Sequence, residues 1–357
     1  MSGETTERAP SRFRPWTRRV VQWLAVAYPA SLAVLAGVLG TVGEKHWITT
    51  ALLYLPRFPY ALPLPFLGLA LLLLRSWRLL ALQAASLWLV LVPLMGFVFP
   101  WVGGGTPGAP TVRLLSYNVN SLEAGEDRVF EQIEHLNPDI VLLQEIGSGG
   151  AAFAERLRAR YGVVQVSGQF IVASRHPILE TYEPGKVVLD GVPHSPRFLR
   201  YTVETPLGRI ALYNVHPISP RMPFIALRGR GIRREILSGR LLRGENAAPL
   251  MLNVRLRALQ TSTYAARAAE EKDPVVIAGD TNLPGLSPSL RRYLGSYQDG
   301  FVTAGGGFGY TFPTYRVPWM RIDRVLVGRE LRVTRFEIGA PLGSDHRAVV
   351  ADVQRAR

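Results

Sequence analysis

Residues 275–282 read Val-Val-Ile-Ala-Gly-Asp-Thr-Asn, a short β-branched run closed by a glycine and then by Asp280 and Asn282. The run reads as a strand, and its polar residues stand where the strand ends. The same pattern recurs outward from it. Asn118 ends the strand-like run 111–118, Glu145 closes Leu-Leu-Gln-Glu after 140–144, and His216 ends Ala-Leu-Tyr-Asn-Val-His. Asp323 lies inside Arg-Ile-Asp-Arg-Val-Leu-Val, and Asp345 with His346 forms Ser-Asp-His just before the run 348–353. Further strands are predicted at 163–166, 171–174, 199–204, 210–216 and 322–327, with Gly208 as a hairpin turn. A helix over 128–136 is stopped by Asn137-Pro138-Asp139. Many strands with few helices over residues 111–357 make a layered α/β sandwich, large enough for a substantial core.

The text before residue 103 is different. Residues 1–19 are polar and basic, with Arg8, Arg12, Arg14, Arg18 and Arg19, and no charge follows between Val20 and Val42. At ~1.5 Å per residue that run can cross a ~30 Å hydrocarbon core. A run at 60–74 is shorter, and one at 79–102 is again long enough. No small-residue cleavage pattern follows the first run, so a retained anchor is expected rather than a signal peptide. The basic tail and the Arg75–Arg78 turn belong on the cytoplasmic side, and three crossings then place the rest outside. If the middle run is instead re-entrant, two crossings leave the following domain in the cytoplasm. The Gly- and Pro-rich stretch 103–110 reads as a linker. The expected organisation is therefore a tail (1–19), a membrane region (20–102), a linker (103–110) and a catalytic domain (111–357).

Composition agrees with a membrane segment joined to a soluble domain. The 357 residues are 48% hydrophobic, the mean hydropathy is +0.12 and the formal net charge is +14. All but three of the 41 basic residues are arginine, a bias that says little about chemistry. Nucleic acid, anionic headgroups and phosphate-bearing substrates all suit such a charge. Cysteine is absent, which excludes disulfides and thiolate metal sites.

Singly, each polar strand end has a bland reading: Gly-Asp is usually a turn, and Asp-His is usually a solvated loop pair. Their order carries more. Ser116-Tyr117-Asn118-Val119, Leu143-Gln144-Glu145, Asn214-Val215-His216, Gly279-Asp280-Thr281-Asn282, Ile322-Asp323-Arg324 and Ser344-Asp345-His346 together resemble the endonuclease/exonuclease/phosphatase superfamily over about residues 111–353. Thr311-Phe312-Pro313 and Ser174-Arg175-His176-Pro177 are similar to pieces of the same proteins. Three apolar runs before such a domain further resemble the VanJ-like membrane proteins. The resemblance implies a four-layer α/β sandwich, two packed β-sheets flanked by helices, behind an amino-terminal transmembrane helical region.

It also implies roles. Glu145 would be the principal Mg2+ or Mn2+ ligand with Asn118 beside it, and Asp345 would complete the metal side. Asp280 would orient or deprotonate the attacking water, and Asn282 would hold a phosphoryl oxygen. His346, oriented by Asp323, would stabilise the developing charge, while His216 would face it as a second donor or as acid to the leaving oxygen. Two departures stand out: Asn120 where abasic-site enzymes carry Asp, and Gln169 where DNase-like members pair their histidine with Glu.

Between His216 and a helix ending near 257–260 lies an arginine-rich stretch containing Arg221, Arg228, Arg233 and Arg234. Its apolar residues recur at helical spacing within 232–242, so it reads either as an interfacial amphipathic segment or as a solvated loop; both put cations beside an incoming phosphate. The expected activity is hydrolysis of a phosphate, diphosphate or phosphodiester bond of a lipid-linked substrate at the outer membrane face. An anchored nuclease and a catalytically silent membrane-bound binding module are the alternatives.

Overall fold

The computed structural model describes residues 15–100, 104–123, 125–227, 237, 247–315, 317–342 and 344–356. The chain forms two compact units, one built from residues up to Gly37 together with Arg57–Met95, the other from Val38–Pro56 together with Gly96–Arg357.

The first unit is helical and apolar. It contains most of α1 (Pro15–Thr41), whose last residues belong to the other unit, and the helices at Pro63–Leu73 (α3) and Trp77–Leu89 (α4), the latter continued by a wider turn to Leu94. Two of its polar side chains bond to backbone within it: Gln83 Nε2 donates to the Ala25 carbonyl at 2.9 Å, and Arg57 Nη1 to that of Leu94 at 2.6 Å. Pro15–Thr41 and Trp77–Leu94 are each long and apolar enough to cross a membrane. The middle candidate joins Trp47–Tyr54 to Phe58–Leu73 across an 84° bend. The third run is helical to Leu94, and Val98 forms a β-bridge to Gly307.

The second unit holds two six-stranded sheets. One runs in the order β13 (Leu331–Ile338), β14 (Val349–Arg355), β1 (Val112–Asn118), β2 (Ile140–Gln144), β4 (Phe170–Ser174), β3 (Val163–Ser167). The other runs β11 (Gln298–Asp299), β12 (Asp323–Val327), β10 (Val275–Asp280), β9 (Gly208–Val215), β8 (Phe198–Thr205), β5 (Ile178–Tyr182). A separate hairpin pairs β6 (Val187–Leu189) with β7 (Val192–His194). Alternation along the strands sends Leu114, Leu142 and Ala351 of one sheet against Leu212, Val276 and Val325 of the other, forming the central core. Their opposite faces are covered by helices. On the first sheet, Leu115 and Val141 pack under Ile133 of α5 (Glu126–Leu136) and Phe153 of α6 (Gly150–Arg158). On the second, Tyr213 and Ile277 pack under Tyr264 of α8 (Ala248–Ala269) and Leu294 of α9 (Pro288–Leu294). The result is the expected four-layer sandwich.

Segment 38–56, which hydropathy alone assigns to the membrane region, is part of this second unit. Its helix α2 (Trp47–Tyr54) buries Trp47 against Leu227, Ala247 and Leu250. Ahead of α2, Glu44 accepts hydrogen bonds from Ser287 Oγ at 2.6 Å and from the Ser289 N–H at 2.9 Å, placing a carboxylate at the start of α9. Arg291 donates to the Gly40 carbonyl.

Candidate active site

Strand register brings the polar ends together. β1 and β2 are parallel with Asn118 opposite Gln144, so Glu145 emerges beside Asn118. β9 and β10 are parallel with Val215 opposite Gly279, which sets His216 next to Asp280. β12 runs antiparallel to β10 with Asp323 opposite Asp280. Gly279 is required where these strands meet: its φ is +149°, and a Cβ there would lie 1.9 Å from the Val215 carbonyl oxygen. Below the site, Gln144 Nε2 donates to Asn214 Oδ1 at 2.7 Å, and Asn214 Nδ2 to the carbonyls of Leu143 and Ile171, a polar bridge between the two sheets.

Asp280 is the hub. Its Oδ2 lies 3.6 Å from Nε2 of both His216 and His346, and it accepts a hydrogen bond from Asn118 Nδ2 at 3.2 Å. Glu145 joins from the other sheet, its Oε1 3.0 Å from His216 Nε2. His346 Nδ1 sits 2.9 and 3.1 Å from the two oxygens of Asp323, and His216 Nδ1 lies 2.6 Å from Gln169 Oε1. With the Gln169 oxygen against Nδ1, the other ring nitrogen of His216 is directed at Glu145 and Asp280. Asn118, Asp280, Asp323, His216 and His346 are buried, whereas one-third of the Glu145 side chain remains accessible.

The electrostatics follow from this enclosure. Burial works against a charged His346, but Asp323 and Asp280 outweigh it and push the imidazole up to about 10. Burial likewise opposes a charged Glu145, yet the His216 imidazole, the Asn118 amide and His346 hold it down at about 2. Asp280 is raised, first by burial and then by Asp323, against the pull of the two imidazoles. Asp345 is raised by burial, partly offset by His346 and Arg221. A proton is thus held on His346, a raised carboxylate faces it, and Glu145 stays ionised.

Asp280, Asp323 and His346 offer ligand atoms within 4.8 Å of one another. Both Asp323 oxygens are already engaged with His346 Nδ1, so this trio reads better as an acid–base array than as a metal cage. The donors that fit a hard divalent cation are oxygens at the open side, chiefly the ionised, accessible Glu145 with the Asn118 amide. Asp345 reaches this region on its own loop, with Arg221 Nη1 3.4 Å from its Oδ2.

Two expected features take a different shape. Asn282 does not present a free amide: Nδ2 donates to the Pro217 carbonyl at 3.0 Å and to Asp280 Oδ2 at 3.2 Å, while its N–H donates to Asp280 Oδ1 at 2.9 Å. Both amide hydrogens are spent, so its geometry suits holding Asp280. Of the arginines 221, 228, 233 and 234, only Arg221 is described; the other three lie outside the described residues.

Several supporting groups carry no strand-end signature. Ser344 Oγ donates to the Asn118 carbonyl at 2.8 Å and accepts from the His346 N–H, tying the two halves of the site. Glu145 and Asn282 both adopt left-handed backbone, with φ 54° and 50°, a conformation costly for non-glycine residues and concentrated at functional sites. Tyr54, from α2, donates its hydroxyl to the Asn282 carbonyl at 2.8 Å.

Carboxylates and imidazoles set across the joined ends of two sheets, with an open oxygen-lined side, define the class: a metal-dependent hydrolase of phosphoric esters. The particular family follows from sequence, because the profile of the Endonuclease/Exonuclease/phosphatase family matches residues 115–346. The chain belongs to that family. Among solved structures it is similar to an endonuclease/exonuclease/phosphatase from Beutenbergia cavernae, with 18% identity, a TM-score of 0.51, and 69% of this chain and 72% of that one covered. It is also similar to truncated Caenorhabditis elegans TDP2 (18% identity, TM-score 0.48, 68% and 98% covered). The catalytic domain of human Nocturnin with bound sulfate is a further likeness (15% identity, TM-score 0.49, 70% and 96% covered). No curated protein matches the chain.

Proposed function

We propose that this enzyme is a membrane-anchored, Mg2+- or Mn2+-dependent phosphoesterase that hydrolyses a lipid-linked phosphate, diphosphate or phosphodiester at the outer face of the membrane. The observation that carries the chemistry is that His216 and His346 each place Nε2 3.6 Å from Asp280 Oδ2, while Glu145 stands 3.0 Å from the same nitrogen of His216. A divalent ion held by Glu145 and Asn118, with Asp345 beside them, would supply positive charge to the phosphoryl oxygens. Asp280, held by Asn118 and Asn282, orients the attacking water and accepts its proton. Protonated His346, fixed by Asp323, donates to the phosphoryl oxygens as charge grows, and His216 faces the same anion from the other side.

Connectivity supports the outer face. Segments 38–56 and 96–357 form one compact unit, so they lie on one side of any membrane the chain crosses. On this reading segment 57–95 crosses an even number of times, Phe58–Leu73 and Trp77–Leu94 serving as two spans or as a re-entrant hairpin. With α1 as one crossing and the arginine-rich tail inside, this reading puts the catalytic unit outside. This parity disfavours the alternative of two crossings and a cytoplasmic domain. The VanJ-like arrangement of apolar runs before the domain points further, to a polyprenyl-type diphosphate.

The test is a product assay of the purified full-length protein against phospholipids, polyprenyl diphosphates and DNA, with and without chelator. Chelator-sensitive release from a lipid substrate supports the proposal. Cleavage of DNA alone would replace the lipid substrate with nucleic acid and leave the chemistry standing.

A further inference from the structure

Three segments far apart in sequence meet beside the site, and each exposes apolar side chains there. Their meeting point is Tyr54: its ring packs on Phe224 with centroids 5.2 Å apart, and its carbonyl accepts a hydrogen bond from Trp319 Nε1 at 3.0 Å. Within two residues of these anchors stand Leu55, Met222, Ile225 and Val317, with Tyr315 just beyond, each between 49 and 77% exposed. The segments also border the catalytic groups. Tyr54 binds the Asn282 carbonyl, Arg221 reaches Asp345, and the Thr314 N–H donates to the Asp345 carbonyl at 3.0 Å. Met222 and Ile225, three apart on the helix α7 (Arg221–Ala226), share one of its faces. Large apolar side chains gathered from three segments and left in water mark an interaction surface.

The chain itself indicates what covers them. α1 is of membrane-spanning length, and its end is bound into the catalytic unit where Arg291 holds Gly40. Tyr54 lies only a tight loop and the eight-residue α2 beyond that point, and eight helical residues span about 12 Å. The apolar rim is therefore tethered within a short reach of the membrane surface. Exposed Arg221 among the apolar residues suits the same environment, where an arginine head meets lipid phosphates above a buried stem.

We infer that the rim formed by Leu55, Met222, Ile225, Tyr315 and Val317 seats in the headgroup region of the bilayer that α1 crosses, so that the site opens onto the lipid surface. The inference rests on the membrane-anchored reading proposed above and adds how the site meets its substrate: the phosphate group is presented from the leaflet, without the lipid leaving it.

The absence of cysteine allows a direct test. Val317→Cys, Met222→Cys and, as a control on an outer strand, Leu179→Cys are each labelled with an environment-sensitive fluorophore in the full-length chain. The proteins are reconstituted into phosphatidylcholine/phosphatidylglycerol vesicles with iodide on both sides or with nitroxide-bearing lipid. At 222 and 317 the lipid nitroxide should quench several-fold more than at 179, and iodide correspondingly less. Iodide quenching at 222 and 317 equal to that at 179, in protein that resists alkaline extraction from the vesicles, would overturn the rim assignment and leave the anchor intact. Protein that alkaline treatment removes would overturn the anchored reading, and the rim assignment with it.

Discussion

Nδ1 of His346 lies 2.9 Å from Oδ2 of Asp323, and both side chains are buried, Asp323 at the start of β12 and His346 in the loop before β14. The contact leaves the opposite ring nitrogen facing Asp280 at 3.6 Å. Asp323 therefore sets both the orientation of the imidazole and its charge. Asp323→Asn should keep the fold but lower kcat by roughly 10²–10⁴-fold, the range expected when an oriented acid–base histidine loses its carboxylate partner. Steady-state kinetics with far-ultraviolet circular dichroism as a folding control checks this.

Glu145 is ionised, partly accessible and in left-handed backbone, which fits a metal ligand better than a structural carboxylate. Glu145→Gln should raise the Mg2+ concentration for half-maximal activity by at least ~10–100-fold. A metal titration of activity measures it directly.

The pH dependence of stability should peak between the ordinary carboxylate and imidazole ranges in chelator-treated protein. His346 is raised, to about 10, so its stabilising charge is complete below the ordinary imidazole value and is lost as pH climbs toward 10. Glu145 is lowered, to about 2, so its contribution is complete above the ordinary carboxylate value and is lost as pH falls toward 2. The difference in melting temperature between the wild type and His346→Gln should accordingly be largest near pH 6 and shrink by pH 10.

Trp47, upstream of the catalytic core in sequence, is buried within the catalytic unit. Trp47→Ala should destabilise that unit by about 3–5 kcal/mol, as large-to-small core changes do. Tyr54→Phe, which removes only the hydroxyl bound to Asn282, should cost about 1 kcal/mol. Thermal unfolding of the full chain in detergent resolves the two.

The strand ends were legible because a buried strand writes itself in β-branched residues and its polar terminus interrupts them. The runs that end at Asp280 and Val215 are legible as strands from the sequence alone, with Asp280 and His216 at their polar termini. What could not be read depends on pairing. The register placing Asp323 opposite Asp280 and the double use of the Asn282 amide are tertiary facts. Edge strand β13 carries a weak sequence signal although Leu331 and Val333 alternate with polar residues, because its charged positions and the irregularity between Val333 and Arg335 blur the period. Hydropathy groups segment 38–56 with the membrane region because Trp47, Leu53 and Tyr54 are apolar whether lipid or protein covers them. Hydropathy does not distinguish the two.

The central claim is that Asp280 and the groups around it hydrolyse a phosphoric ester with a divalent ion. The most direct measurement is phosphate or alcohol release by the purified full-length protein and its Asp280→Asn variant, before and after chelation and metal add-back. The account expects wild-type turnover that chelator abolishes and Mg2+ or Mn2+ restores, with Asp280→Asn slower by about 10³-fold or more. Turnover indifferent to chelator, or unchanged in Asp280→Asn, would contradict it.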